Sequence, residues 1–447
     1  MYSPLIFWFI CKKKGTILRI LIKGGLYRIL FMGFNFLVAL FIAAVSGTQT
    51  FGVISLMVVN AAVFSIISGL GADSAIVWHG ASQKLSREKL FSFTFFSAFF
   101  QIILFVIVSL LFYRATDKLL LSQQHYFSFY FYELIYFSGL ILIDKYTSLF
   151  YASHRMANCN KLLSGVTLFC LVALVLIRYR IFNINLPPFS LLSITTLIQA
   201  LGLAILFHTE NARFRIVRIS THDLRSLFNF SIVVFITNLV QFFAYRADYW
   251  LVNYFRNEGE LGIFSQTNRF AQMLWVVPNI LAAMLIPLIA APGDDFNERA
   301  VVRLVRVINY FNLLAIGVTL LIALIAYKLF LPASFSAGFS PLLLMIPGYY
   351  FFCINIILAA FFSSRRLLWV NFIGSLLCFI VIIIADLILI PAFGIRGAAI
   401  ADSIAYSAAT VFSIISFMRH TSFSFADLFA IRRADWSYWL AYKTNDQ

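Results

Sequence analysis

Arg246 and Asp248 stand in the stretch VQFFAYRADYW, residues 240–250, in the middle of a long apolar run. An ionised side chain at that depth in a membrane helix costs roughly 2.5–3.5 kcal/mol on insertion scales. Two residues apart on a helix, the pair points to nearly opposite sides, so each needs a partner on another helix or access to water. For Arg246 a structural ion pair, or snorkelling to the outer interface, accounts for the charge as well as a binding role does.

Further charges sit in apolar surroundings. Arg269 falls about 15 Å from the start of its helix, near mid-depth, and Arg28 lies near the inner mouth of the first helix. Asp144 and Lys145 are adjacent near the inner end of a fourth apolar segment, with Glu133 toward its outer end. Asp386 and Asp402 fall in the outer portions of the last two segments. Intramembrane carboxylates can carry H⁺ or Na⁺, or they can neutralise a buried arginine. No spacing among these marks a dedicated ion site. Gln101, Asn229, Asn238, Gln241, Gln266, Asn268 and Gln272 add uncharged polar groups inside the spans. They suit either a path for hydroxylated cargo or hydrogen bonds between helices.

Metal and redox chemistry find little support. Cys11, Cys159, Cys170, Cys353 and Cys378 form no CxxC and have no histidine cluster beside them, so they read as packing residues. His79 has no acid or cysteine next to it and reads as an inner-turn residue. Asp73 reads as the cap or end of the second helix. No GxxxxGK[ST] phosphate loop occurs. No outer loop gathers a catalytic cluster, so an enzyme is not expected.

The elements that must position these groups are membrane helices. Of 447 residues, 62% are apolar and 12% charged, too little charge to cover a soluble surface of this size. Apolar runs near the ~20 residues a bilayer requires recur along the chain, and they are continuous rather than alternating, which excludes a barrel. The candidate spans are 24–46, 51–71, 90–113, 126–150, 162–178, 189–207, 226–256, 259–290, 306–331, 340–362, 367–391 and 396–418, about twelve in an all-α membrane protein. The seventh and eighth are long enough to tilt or to project, and Pro278 and Pro287 should bend the eighth.

If both termini are cytoplasmic, outside loops carry only Arg114, Lys118, Arg178, Arg180, Arg256, Lys328 and Arg396 of the 34 Lys and Arg. Nearly all the rest fall inside, which fixes the orientation by the positive-inside rule. The formal net charge of +16 is therefore mostly a topology signal, and no nucleic-acid partner is expected. The segment PLIFWFI, 4–10, is too short for a signal peptide and precedes its lysines, so it reads as lying on the membrane surface. The mixed apolar and basic tail, 419–447, reads as an amphipathic segment on the inner leaflet. The basic connection 208–225 divides the chain into six-helix halves, 1–225 and 226–447.

The halves share a short repeat. Phe51-Gly52-Val53-Ile54-Ser55 aligns with Leu261-Gly262-Ile263-Phe264-Ser265 at an offset of 210, each at the start of the second helix of its half. A parallel repeat of this kind relates two bundles by a pseudo-two-fold axis along the membrane normal.

The run ADYWLVNYFRNEGELGIFSQTNRFAQMLWVVPNILAAMLIPLIA, residues 247–290, resembles the seventh and eighth helices of polysaccharide flippases. These are the O-antigen, lipopolysaccharide and teichoic-acid exporters of the multidrug/oligosaccharidyl-lipid/polysaccharide exporter superfamily, which have a MATE-like fold. Asp248, Gly262-Ile263-Phe264-Ser265 and Pro287 fill the places of the family's late acid, Gly-aromatic-Ser start and inner proline. GLGADSAIVWHGA at 69–81 resembles the family's end of helix two with its inner turn, and FGIRGAAIADSIA at 393–405 the opening of helix twelve. The unusual share of phenylalanine departs from the pattern.

The resemblance implies a flippase that moves a polyprenyl-pyrophosphate-linked oligosaccharide, an O-antigen or capsule repeat unit, to the outer leaflet of the bacterial inner (plasma) membrane by alternating access. A hydrated, cationic cavity between the bundles would take the polar headgroup, and the planar fork of arginine suits the diphosphate. Arg269 ranks first for that role, then Arg246, then Arg28. Asp248, Asp144, Lys145, Glu133 and Asp386 are the candidate ion sites or charge partners. The expected partners are membrane lipid, the lipid-linked oligosaccharide and other polysaccharide-assembly proteins, with the chain itself a monomer. No cofactor is expected, and H⁺ or Na⁺ coupling stays open. The alternative is a cation-coupled multidrug antiporter on the same fold, which would favour an acid-lined cavity.

Overall fold

A computed structural model describes residues 15–153, 155–178, 187–210, 215–290 and 298–429. The surface segment expected at 4–10 lies outside them, as does the tail beyond residue 429. All regular structure among the described residues is helical, as backbone groups in hydrocarbon require.

Ten stretches among the described residues are long and apolar enough to cross a membrane. The first, within α1 (Gly15–Gly69), breaks at Gly47, where the backbone leaves the helical region at φ 74°, ψ 175°. Its 46 residues would otherwise make a rod of roughly 70 Å, twice a bilayer, so it holds two crossings. α8 (Glu258–Gln272) and α9 (Val276–Ala290) supply another, joined by a 3₁₀ turn at Met273–Trp275. With these, the expected complement of about twelve spans is present. The bend comes just ahead of Pro278, whose missing N–H and ring disrupt the preceding helical turn.

The remaining long helices are α3 (Arg87–Thr116), α4 (Tyr130–Ala152), α5 (Met156–Arg178), α6 (Pro188–Glu210), α7 (Thr221–Phe255), α10 (Glu298–Ile325), α11 (Phe339–Ser364), α12 (Leu368–Phe393) and α13 (Ile395–His420). A short α14 (Phe425–Phe429) follows. One expectation needs revising. The inner turn read at 69–81 is a helix, α2 (Ala72–Ala81). Leu70 and Gly71 adopt positive φ, 46° and 76°, which ends α1 and starts a new helix axis. A β-carbon on Gly71 would overlap the Ser231 carbonyl of α7, so this turn accepts glycine alone. Asp73 therefore lies in the first turn of α2 and does not cap it.

The helices group into two compact units. One comprises Lys23–Ser265 with Phe330–Phe335. Its core includes the stacked rings of Phe105 and Phe137, 4.4 Å apart, with Phe64 edge-on to both. α4 packs along α6, and α2 bridges α4 and α7. A second apolar cluster joins Leu90, Leu149, Phe150, Leu163 and Phe207. The other unit comprises the described parts of Met1–Ile22, Gln266–Leu329 and Ser336–Gln447. Its most extensive packing is of α13 against α11 and α12. There Trp275 stacks on Tyr349 at 4.6 Å, and Tyr406 closes edge-on over both.

Candidate functional site: buried charges and a symmetric helix crossing

The charged residues singled out by the sequence fall into separate settings. Lys145 is buried in α4 and donates to Asp73 of α2 at 2.9 Å. The ammonium is almost wholly enclosed, whereas the carboxylate side chain is 38% exposed, so the pair opens to its surroundings through Asp73. Asp144, the neighbour of Lys145, is half-buried. Arg28 is exposed, its guanidinium 5.4 Å from the ring of Phe31.

Glu133 has a structural partner of its own. It is buried at the start of α4 and accepts backbone N–H bonds from Ser122 at 2.6 Å and Leu121 at 3.3 Å. A carboxylate that takes two backbone donors holds the connection before α4 in one conformation. Glu133→Ala leaves those N–H groups without an acceptor, and we expect a loss of roughly 2–3 kcal/mol in stability. The check is a fall in the thermal midpoint of the purified protein, with Glu133→Gln intermediate.

Arg246 and Asp248 do not bond to one another. The Arg246 guanidinium donates to the Tyr249 hydroxyl at 2.7 Å and lies 5.0 Å from that ring's centre. Asp248 is fully buried. One of its oxygens accepts from the Tyr249 N–H at 2.9 Å, and the other has no hydrogen-bond partner. In the second unit Arg269 is half-buried on α8, while Asp386 of α12 and Asp402 of α13 are fully buried. Among the described residues no three His, Cys, Asp or Glu gather as a metal site would require.

The most ordered polar arrangement, which charge reasoning missed, lies where the second arm of α1 meets α8. Ser55 Oγ and Ser265 Oγ are 2.7 Å apart and buried. A β-carbon on Gly52 would overlap the Glu258 carbonyl oxygen and sit 2.7 Å from its carbon. One on Gly262 would overlap the Thr48 carbonyl oxygen and sit 2.9 Å from its carbon. The 210-residue offset exchanges 55 with 265, 52 with 262 and 48 with 258, so it maps the serine pair onto itself and the Gly52–Glu258 contact onto the Gly262–Thr48 contact. The crossing is therefore two-fold symmetric, and each repeated segment meets its own counterpart. Glycine at both positions lets the backbones approach until Cα–H groups face carbonyl oxygens, the close-packed geometry of small-residue helix pairs. The signal was present in the five-residue repeat, but a repeat alone does not say that its copies touch.

A hydrogen-bonded chain braces the crossing. Trp250 Nε1 donates to Asn60 Oδ1 at 2.7 Å, and Asn60 Nδ2 donates to the Leu121 carbonyl, also at 2.7 Å. Leu121 also bonds to Glu133, and in the same connection Gln124 donates to Glu258 at 3.0 Å. Phe51 and Phe335 close the apolar side edge-to-face at 6.1 Å. His79 is buried in α2, bonded to the Ala75 carbonyl (3.0 Å) and the Ser226 hydroxyl (3.1 Å). That fixes α2 to α7.

An all-helical, multi-pass membrane protein with a MATE-like fold is what these elements build. Residues 19–291 match the family model described as polysaccharide biosynthesis protein. The chain belongs to that family. Among solved structures it is similar to "Lipid II flippase MurJ, inward closed conformation", with 16% identity, a TM-score of 0.67, and coverage of 96% of this chain and 93% of that one. It is also similar to an inward-facing multidrug resistance MATE family transporter of the MOP superfamily, at 12% identity and a TM-score of 0.66 over 89% of this chain and 98% of that one. An outward-facing structure of a transporter from that family matches at 14% identity and a TM-score of 0.62, covering 90% and 95%. No curated protein matches the sequence.

Proposed function

We propose that this chain carries a polyprenyl-pyrophosphate-linked oligosaccharide, an O-antigen or capsule repeat unit, from the inner to the outer leaflet of the bacterial plasma membrane. The observation that carries the reading is the self-paired crossing of the two repeated segments, in a chain of the polysaccharide biosynthesis family. By the Lys and Arg distribution both termini are cytoplasmic, which puts the crossing near the outer face. There it forms the closed end of an alternating-access cycle, and residues 1–225 rock against 226–447 about it.

The cargo poses a simple problem in solvation. A diphosphate and several sugars must cross hydrocarbon while the lipid tail stays in it. Arg269 takes the diphosphate through its planar pair of donors, with Arg246 and Arg28 as further headgroup contacts. Gln272, half-buried on the same helix as Arg269, offers an amide for sugar hydroxyls, whereas Gln266 and Asn268 are fully enclosed. Asp144 beside the Lys145–Asp73 pair, together with Asp248 and Asp386, are the groups through which H⁺ or Na⁺ coupling would run.

Arg269→Ala abolishes transfer of a lipid-linked glycan in proteoliposomes while the purified protein keeps its thermal midpoint. Transfer at the parent rate would remove Arg269 from the site. A second reading, a cation-coupled multidrug antiporter, draws on the buried carboxylates of Asp248, Asp386 and Asp402. Proton- or sodium-driven export of cationic dyes by the same proteoliposomes, without glycan transfer, would decide for it.

A further inference from the structure

A cavity of about 440 Å³ opens where the ends of α2, α4 and α6 meet the start of α3. Its volume is in the range of small-ligand sites. One wall is apolar, made by Leu90, Leu149 and Phe207, which belong to the buried cluster behind it. The connection Gln83–Arg87 completes the lining, with Lys84 and Arg87 exposed upon it. Among the described residues, none that lines the cavity is acidic.

The basic residues of this region divide cleanly. Lys89 is neutralised by Asp223 at 2.8 Å and Arg155 by Glu210 at 2.9 Å. Lys84 and Arg87, the two that line the cavity, have no carboxylate within ion-pair distance among the described residues. Lys84 is held with its ammonium 4.2 Å from the centre of the Trp78 ring. Two cations without a carboxylate partner, on the lining of a cavity that also has an apolar wall, make a site for an anion that has a hydrocarbon part.

We propose that this cavity binds the phosphodiester headgroup of an anionic phospholipid. Lys84 and Arg87 hold the phosphate, and the first carbons of the acyl chains lie against Leu90, Leu149 and Phe207. The rim lies on the cytoplasmic side by the positive-inside orientation, where anionic headgroups draw Lys and Arg to the surface. A free phosphate would use the same cations but would leave the apolar wall uncovered. The bound lipid is a resident of the first unit and is not the cargo.

The test uses the purified full chain in mixed micelles of phosphatidylglycerol and phosphatidylcholine, with retained lipid counted by native mass spectrometry. A parallel arm reads the thermal midpoint with phosphatidylglycerol and with inorganic phosphate alone. The native chain retains phosphatidylglycerol in preference to phosphatidylcholine by on the order of tenfold. Lys84→Gln with Arg87→Gln removes that preference, whereas Lys89→Gln with Arg155→Gln keeps it. Lys84 and Arg87 are exposed and Lys89 and Arg155 sit in half-buried pairs, and an unchanged thermal midpoint identifies each variant that folds. An unchanged preference in the Lys84/Arg87 variant, or none in the native chain, overturns the proposal. Inorganic phosphate raising the midpoint as much as phosphatidylglycerol does would also overturn it, and assign the cavity to a free anion. Because lipid retention rather than glycan transfer is scored, either result leaves the translocation reading to its own test.

Discussion

A chain carrying Ser55→Cys and Ser265→Cys will transport when reduced and stop when oxidised. The two hydroxyl oxygens are already 2.7 Å apart, so the replacing sulfurs need only a small side-chain adjustment to reach disulfide length. The helices bearing them cross with glycine against backbone, which leaves little slack once the bond forms. If this crossing must part for the outer mouth to open, the bond holds the cycle at one end. Transfer of the lipid-linked glycan in proteoliposomes should fall at least tenfold on oxidation and return with dithiothreitol. Cys159, Cys170, Cys353 and Cys378 are buried and unbridged, so the native thiols of the described residues offer little competing cross-link. Peptide mapping establishes that the bond has formed. Undiminished transfer by the oxidised protein would mean that the crossing stays closed throughout the cycle, and the rocking motion would have to pivot elsewhere.

The second large effect concerns the glycines beside those serines. Gly52→Ala places a methyl on the Glu258 carbonyl, and Gly262→Ala places one on the Thr48 carbonyl. In each case the obstructing atom is backbone, so no rotamer change relieves it and the helices must separate. Overpacking of this kind costs typically 1–3 kcal/mol, and the symmetry of the contact predicts similar costs at the two sites. Once one alanine has pushed the helices apart, the second finds room, so the double variant should lose less than the sum of the singles. Thermal midpoints of the four proteins, native, two singles and double, give the comparison. Additive losses would show that the two glycines do not share one crossing. On the proposed cycle, the same separation would open the end that the crossing closes, so each single variant should also lose most of its transfer activity.

Much of the architecture was legible because membrane insertion writes it in hydropathy. Run lengths gave the spans, and Pro278 marked the bend in the eighth by the hydrogen bond it cannot donate. Where the sequence reading stopped short, the missing information was spatial. The stretch 69–81 resembles the end of a helix with its inner turn, yet ADSAIVWHGA resumes as a helix after two left-handed residues. Glu133 looked like any intramembrane acid, since the donors that occupy it, Leu121 and Ser122, belong to a connection with no pattern of its own. His79 had no neighbour in sequence to explain it, and its partner Ser226 lies 147 residues away. Ser55 and Ser265 were aligned by the repeat but not recognised as a pair. Symmetry relates equivalent positions, and contact between them requires that they also lie on the axis.

That last condition has a historical implication. Where a residue meets its own counterpart, the partner does not need to be in the same polypeptide. A half-length ancestor with one copy of the Phe-Gly-Val-Ile-Ser segment would have met a twin through the same glycine and the same serine, as an isologous dimer. Joining the two genes end to end would have kept that interface while freeing every off-axis position to diverge. The symmetric crossing is thus the contact that such a dimer and this chain would share, whereas the arginines and aspartates singled out above sit where the two halves differ.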